Sequence, residues 1–250
     1  VIQVVCIKQV ADTETRVKVA ADGKHLDPAG VTWILNPYDE FAVEQALRVK
    51  EKLGAGEVIA LSLGGPGVQT TLRNALAMGA DRAIHLRHEG AALDSLSVSR
   101  LLADAIRPLG AGLIWFGKQA VDDDAAQVGP MTATLLDLPC VTAIATFELE
   151  GDQVTVEREV EGAREVVEAK LPAVLTTDKG LNEPRYASLK GIMAAKKKTI
   201  EDVAAAPSEP NLEVTALAPP PPRAAGRIVG EGTAAVPVLV KLLREEARVI

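Results

Sequence analysis

Aromatic side chains are scarce in this chain: three Phe, two Tyr and two Trp make up 3% of its 250 residues. A core with so few rings must be filled by Val, Leu, Ile and Ala, which suits parallel strands buried on both faces between helices. Cysteine is almost missing as well. Cys6 and Cys140 lie far apart in apolar runs, form no CxxC pair and read as buried free thiols of a reducing compartment. The three histidines, His25, His85 and His88, lack zinc-type spacing, so no metal site is expected. No apolar run reaches membrane-spanning length, which excludes insertion by a helix. The chain opens directly in a strand pattern, without a basic leader or a cleavage site, so a cytoplasmic location is the expectation. Positive charge is not in excess either: a net charge of −7 and a pI near 5.1 argue against nucleic-acid binding. There is no GxGxxG, no Walker sequence, no GxSxG and no HExxH.

What is present is apolar bulk, 48% of the residues, distributed in alternating short strands and helices. Residues 2–7, 58–63 and 113–116 are near-continuous apolar runs expected of central strands, and 82–86 is a weaker fourth. Helices fall between them. One starts at the Asn36-Pro37-Tyr38-Asp39 turn and stops at Gly54; the others cover 70–78, 94–109 and 125–136. This alternation predicts right-handed crossovers and an α/β fold with a mostly parallel, Rossmann-like sheet. After Pro139 the pattern changes. Val154-Thr155-Val156-Glu157 alternates with period 2, and turns at Gly151 and Gly162 predict an antiparallel excursion at one edge before residues 172–177 resume an apolar strand. From about Lys179 the globular pattern fades. Residues 207–222 hold six prolines, the mark of a stiff, extended linker, and a last amphipathic helix is expected over 238–247. The expected division is an α/β domain over 1–203 and an extended arm over 204–250 that reaches a partner chain.

Ligands of a doubly wound sheet bind beyond the carboxyl ends of its strands. Three loops qualify there: Lys8-Gln9-Val10-Ala11-Asp12, Leu63-Gly64-Gly65-Pro66-Gly67, and Gly117-Lys118-Gln119-Ala120-Val121-Asp122-Asp123-Asp124. Glycine lets backbone approach a phosphate, and helix-start amides can take its oxygens. The three adjacent aspartates read as helix caps in preference to a magnesium site.

Four stretches carry a resemblance. They are Asn36-Pro37-Tyr38-Asp39-Glu40-Phe41-Ala42-Val43-Glu44, residues 75–83 (Ala75-Leu76-Ala77-Met78-Gly79-Ala80-Asp81-Arg82-Ala83), residues 117–124, and Leu181-Asn182-Glu183-Pro184-Arg185-Tyr186-Ala187-Ser188-Leu189 running on to Lys196-Lys197-Lys198. In this order and spacing they closely resemble the beta subunit of electron-transfer flavoproteins, from residue 1 to about 203. The resemblance implies an electron-carrier subunit and not an enzyme. It implies a heterodimer whose alpha subunit holds FAD, with dehydrogenases such as acyl-CoA dehydrogenases as donors and a quinone reductase or another acceptor downstream. It further implies an adenine nucleotide in this subunit, AMP or, in electron-bifurcating members, a second FAD. Carried over by position, the nucleotide contacts are Cys6, Asn36, Pro37, Tyr38, Asp39, Leu63, and Gly117, Lys118, Gln119, Ala120, Val121, Asp122, Asp123, Asp124, Ala125, Ala126, Gln127 and Val128. Leu189, with Tyr186, Ile192 and Met193 in a recognition loop over about 184–198, would dock partner dehydrogenases, and Glu159 would contact the flavin domain of the alpha subunit. Asp123 stands where the bifurcating pattern has glycine, which favours AMP; Gln127-Val128-Gly129-Pro130 resembles the bifurcating branch. Two rivals of other classes are an adenine-nucleotide-hydrolase-type enzyme, which would need a Gly/Ser-rich loop after the first strand, and a free-standing AMP sensor, which would not need the arm.

Overall fold

Alternate residues of the first strand point into two different cores. In the computed structural model, which describes every residue except 91, 207, 209 and 224, β1 (Ile2–Cys6) sends Val4 and Cys6 to one face and Val5 to the other. That two-sided burial is why the run is almost wholly apolar, Gln3 being buried with bonds to Ala46 O and Trp115. Short β2 (Gln9–Ala11) and β3 (Trp33–Leu35) pair antiparallel as a separate ribbon, followed by α1 (Pro37–Leu53), β4 (Glu57–Gly64), α2 (Val68–Met78) and β5 (Arg82–Arg87). Next come α3 (Ser95–Ile106), a 3-10 turn at Arg107–Leu109, β6 (Leu113–Gly117) and α4 (Val128–Leu136). The hairpin strands β7 (Cys140–Glu150), β8 (Gln153–Val160) and β9 (Ala163–Lys170) lead to β10 (Ala173–Thr177), α5 (Leu189–Lys197), β11 (Ile200–Ala204) and α6 (Val236–Leu242).

The main sheet has nine strands in the order β11-β5-β4-β1-β6-β10-β7-β8-β9. Its strands are parallel from β11 to β7 and antiparallel only across β7-β8-β9. The mostly parallel α/β sheet with an antiparallel edge is therefore the one read from the sequence. Helices α1 and α2 bury Val43, Leu47, Leu72 and Leu76 in the core that contains Val5 and Trp115. Helix α3 buries Leu102 and Ile106 on the opposite face with Ile59 and Phe116, and Ala133 of α4 joins them. Because β1 lies between β4 and β6, the chain reverses its direction of travel across the sheet there, opening a crevice at the carboxyl ends of β1 and β6.

Several expectations need correction. The chain after Lys179 does not fade into irregular structure: it forms α5 and a further parallel strand, β11, beside β5. Few of their residues are buried, Ala195 being the exception, so no periodic apolar signal marked them. Helix α4 begins at Val128, not Ala125, because Asp124 and Ala126 adopt positive φ of 48° and 52°, outside the helical range. Helix α2 begins two residues early, its first amides bonded to the Gly65, Pro66 and Gly67 carbonyls. Cys6 is buried, but Cys140, the first residue of β7, is only half-buried. Pro207, where the proline-rich stretch was expected to start, lies outside the described residues. The arm beyond it is largely exposed but does touch its own domain. The amides of Asn211 and Leu212 donate to the Asp94 carboxylate, the Leu217 amide donates to Gly23 O, and Lys24 pairs with Glu213.

Candidate functional site

Asp39 is the keystone of the crevice. It sits in the first turn of α1, 5% exposed, and its two oxygens gather three loops. Oδ2 accepts from the Lys8 amide (2.7 Å); Oδ1 accepts from the Gly117 amide (3.0 Å) and from Asn36 Nδ2 (2.9 Å). The β2–β3 ribbon prepares this meeting, since it starts just after Lys8, ends just before Asn36, and lets the Asn36 amide donate to Lys8 O. Asn36 was expected to cap α1. It occupies the N-cap position without a side-chain cap bond, and instead its amide donates to Gln119 O (2.9 Å) and accepts from the Val121 amide (3.2 Å). Gly117 has to be glycine here, because a Cβ would run into Asp39 Oδ1 and Tyr38. Burial pushes the Asp39 carboxyl up to about 7, with the three N–H donors pulling the other way.

Around this keystone lies an open cleft. Of the residues singled out in the sequence, Cys6, Asn36, Asp39, Leu63, Gly117, Lys118, Gln119, Ala120, Asp123, Ala125, Ala126, Gln127 and Val128 line it. Pro37, Tyr38, Val121, Asp122 and Asp124 do not. Tyr38 lies beside the cleft, with the Lys118 ammonium 5.3 Å from its ring centroid, and its carbonyl accepts from Thr177 Oγ1. The three aspartates do not cap α4. Asp122 and Asp123 accept from Lys8 Nζ at 2.8 and 3.0 Å, tying the loop after β1 to the loop after β6, and Asp124 accepts from Gln119 Nε2. Burial lowers the Lys8 ammonium, but these two carboxylates outweigh it and leave its pKa raised. Among the described residues no group of three or more His, Cys, Asp or Glu could hold a metal ion.

The reading of the sequence missed one wall. Leu93, Ser95, Val98 and Leu102, from the start of α3 and the loop before it, also line the cleft. A signal existed, since α3 follows a strand on the same crevice-bearing side. Gly129 was missed too.

The floor can accept an anion. Gln127 stands at the N-cap of α4 and makes no side-chain cap bond, and the first-turn amides of Val128 and Gly129 have no acceptor within the helix. Both residues line the cleft, and Lys118, its ammonium paired with Asp178 at 2.9 Å, stands on the same rim. These features fit a phosphate. Leu63 and Val98 supply apolar wall, while the buried Cys6 thiol, raised well above its usual pKa by burial and then by Asp39, is no nucleophile at neutral pH.

The predicted docking residues lie elsewhere, on α5 and the segment before it. Tyr186 is 98% exposed and Leu189 78%, with Ile192 and Met193 also exposed. The segment expected as a loop is a short helix, started by Ser188, whose hydroxyl accepts from the Gly191 amide. Glu159 is exposed on β8 and pairs with Arg164 at 3.4 Å.

A cleft at the switch point of a doubly wound sheet, floored by an uncapped helix start, defines a Rossmann-like α/β protein. The pattern of the electron transfer flavoprotein domain matches residues 24–208. The chain is 46% identical to the mouse electron transfer flavoprotein subunit beta, over 89% of this chain and 90% of that one. It is 41% identical to the Bacillus subtilis subunit beta and 42% to the rice mitochondrial one, each over 98% of both chains. This chain belongs to the electron transfer flavoprotein subunit beta family. No helix among the described residues is long and apolar enough to cross a membrane.

Proposed function

We propose that this chain works as the non-enzymatic half of a heterodimeric electron carrier, binding AMP in the cleft and docking partner dehydrogenases through the exposed face of α5. The observation that carries the reading is the convergence of Lys8, Asn36, Asp39, Gly117–Ala120 and Ala125–Gly129 on one cleft whose helix start is left uncapped. The AMP phosphate takes the amides of Val128 and Gly129, with Lys118 on the same rim. The adenosine lies against Leu63, Val98 and the Cys6 side. FAD, held by the alpha subunit, supplies the redox chemistry when bound. The residues of this chain shape a nucleotide site and a docking face, and none is assigned a chemical step. Glu159 meets the flavin domain of the alpha subunit, and residues 204–250 pack on that subunit. Electrons leave to a quinone reductase or another acceptor.

AMP is preferred to a second FAD because Lys8, Asp122 and Asp123 close a bridge between two of the cleft loops, which suits a compact mononucleotide. Denaturing the purified heterodimer and counting the released nucleotides tests this. Equal amounts of AMP and FAD are expected. FAD in twofold amount without AMP would assign the cleft to a second flavin. For docking, filling a pocket with one leucine is worth roughly 1.5–3 kcal/mol. Leu189→Ala should therefore slow reduction by a cognate dehydrogenase by one to two orders of magnitude. Reduction by dithionite should stay normal. An intact dehydrogenase-dependent rate would remove Leu189 from the docking face.

A further inference from the structure

The docking face is carried by a segment that has little core beneath it, yet one end of that segment is fastened by a buried charge. Glu44, on α1, is 3% exposed. Its carboxylate accepts from Arg185 Nε (2.7 Å), Arg185 Nη2 (3.1 Å), the Arg185 amide (3.2 Å) and Arg48 Nε (2.7 Å). Arg185 also forks onto Glu51 at 2.5 and 3.1 Å, so its guanidinium is gripped by two carboxylates a turn and more apart on one helix. Asn182 adds bonds to Phe41 O and Gln45, and Arg48 donates to Glu183 O. The residue after Arg185 is the fully exposed Tyr186, and Leu189 follows three residues later.

The far end of α5 is secured by other means: Arg73 donates to the carbonyls of Ala195 and Lys198, and Lys198 Nζ donates to Ala80 O, while Gly191, in the first turn, rests on Ala77 O. The Glu44 cluster therefore acts on the near end, the one that presents Tyr186 and Leu189. A buried ion pair is a weak device for stability, but it is a good one for fixing geometry. An apolar anchor held in place before contact spares the complex the entropy of ordering it.

We propose that Glu44 is a positioning residue for partner docking, acting through Arg185 to hold the Tyr186–Leu189 end of α5 in the geometry that a dehydrogenase meets. This rests on the docking reading above. The test uses the intact heterodimer and a cognate dehydrogenase, with the heterodimer as the varied substrate. Glu44→Gln keeps the volume and loses the charge. It should raise KM roughly tenfold, equivalent to about 1.4 kcal/mol of docking free energy, and leave kcat at saturation and dithionite reduction unchanged. Arg185→Leu, at a half-exposed site, leaves the Glu44 charge still paired with Arg48 and should do the same if Glu44→Gln folds poorly. Added to Leu189→Ala, either substitution should raise KM by less than it does alone, since both act on one docking element. If Leu189→Ala leaves KM unaltered, the docking reading itself fails. If Leu189→Ala raises KM while Glu44→Gln and Arg185→Leu do not, docking stands and the positioning role is overturned. A loss of kcat with KM unchanged would overturn it as well.

Discussion

Asp39 and Glu44 lie five residues apart on the same helix, both almost wholly buried, and their carboxyl groups are shifted in opposite directions. Burial alone raises both. At Asp39 the partners are uncharged: two backbone amides and the Asn36 amide, while the nearby Lys8 ammonium is turned to Asp122 and Asp123. Burial wins there, and the group rises to about 7. At Glu44 burial is outweighed by the guanidinium groups of Arg185 and Arg48, and the group falls below its usual range. The comparison teaches that charged partners can reverse the upward shift that burial imposes, where neutral donors do not. It also divides the labour along α1. Neutral donors at its start shape a cleft, and charged donors further on fix a surface segment.

The pH dependence of stability follows with opposite signs. Asp39 is raised above an unfolded value of about 3.9, so folding takes up a proton between about pH 4 and 7. Its contribution is present at the acid end of that window and lost as pH rises through 7. Glu44, lowered, contributes stability that is present above its unfolded value of about 4.3 and is lost as pH falls through its folded value. Asp39→Ala breaks the comparison most severely. It strands the amides of Lys8 and Gly117 without an acceptor, at roughly 3 kcal/mol, and it abolishes the part of the stability–pH slope between about pH 4 and 7 that Asp39 supplies. Urea unfolding across that range measures both. A variant with the wild-type slope would show that Asp39 does not titrate there.

Gly117→Ala should come next. The added methyl meets Asp39 and Tyr38, so it should destabilise by roughly 1–3 kcal/mol and lower the AMP content, both read on the purified heterodimer. Asp94 sharpens the comparison as a third, half-buried carboxylate, held well below its ordinary range first by the Ser97 amide and then by the arm through Asn211. Asp94→Ala removes the N-cap of α3 and should lower stability modestly, and hydrogen exchange at Asn211 and Leu212 should quicken; unchanged exchange would mean that the arm is seated some other way. Smallest of all is the stability effect of Leu189→Ala, within about 0.5 kcal/mol because the side chain is exposed. A thermal melt checks it, and a larger loss would make Leu189 a packing residue.

Where the sequence was legible, the physics was repetitive. Residues 2–7, 58–63 and 113–116 are almost wholly apolar because both faces of their strands are buried, and the Gly54, Gly79 and Gly110 stops mark where the chain must turn. The cleft loops were found from their place after those strands. What escaped was structure whose cause lies elsewhere in the chain. β2 and β3 have three residues each and matter only because they set Lys8 beside Asn36. β11 is an edge strand whose Glu201 and Asp202 look solvated in the sequence, although they pair with Arg82 and Arg87 of β5. The aspartates at 122–124 have the composition of a helix cap, and only the fold shows that Lys8 claims two of them.

The central claim is that the cleft keyed by Asp39 is the nucleotide site of this subunit. An azido-adenine analogue of AMP, photolysed on heterodimer stripped of its nucleotide, tests it most directly when the labelled peptides are mapped by mass. The account predicts labelling confined to the cleft walls around Cys6–Lys8, Asn36–Asp39, Leu63, Leu93–Val98 or Gly117–Gly129, and suppressed by unlabelled AMP. Labelling outside these segments, or labelling that AMP does not suppress, would contradict it.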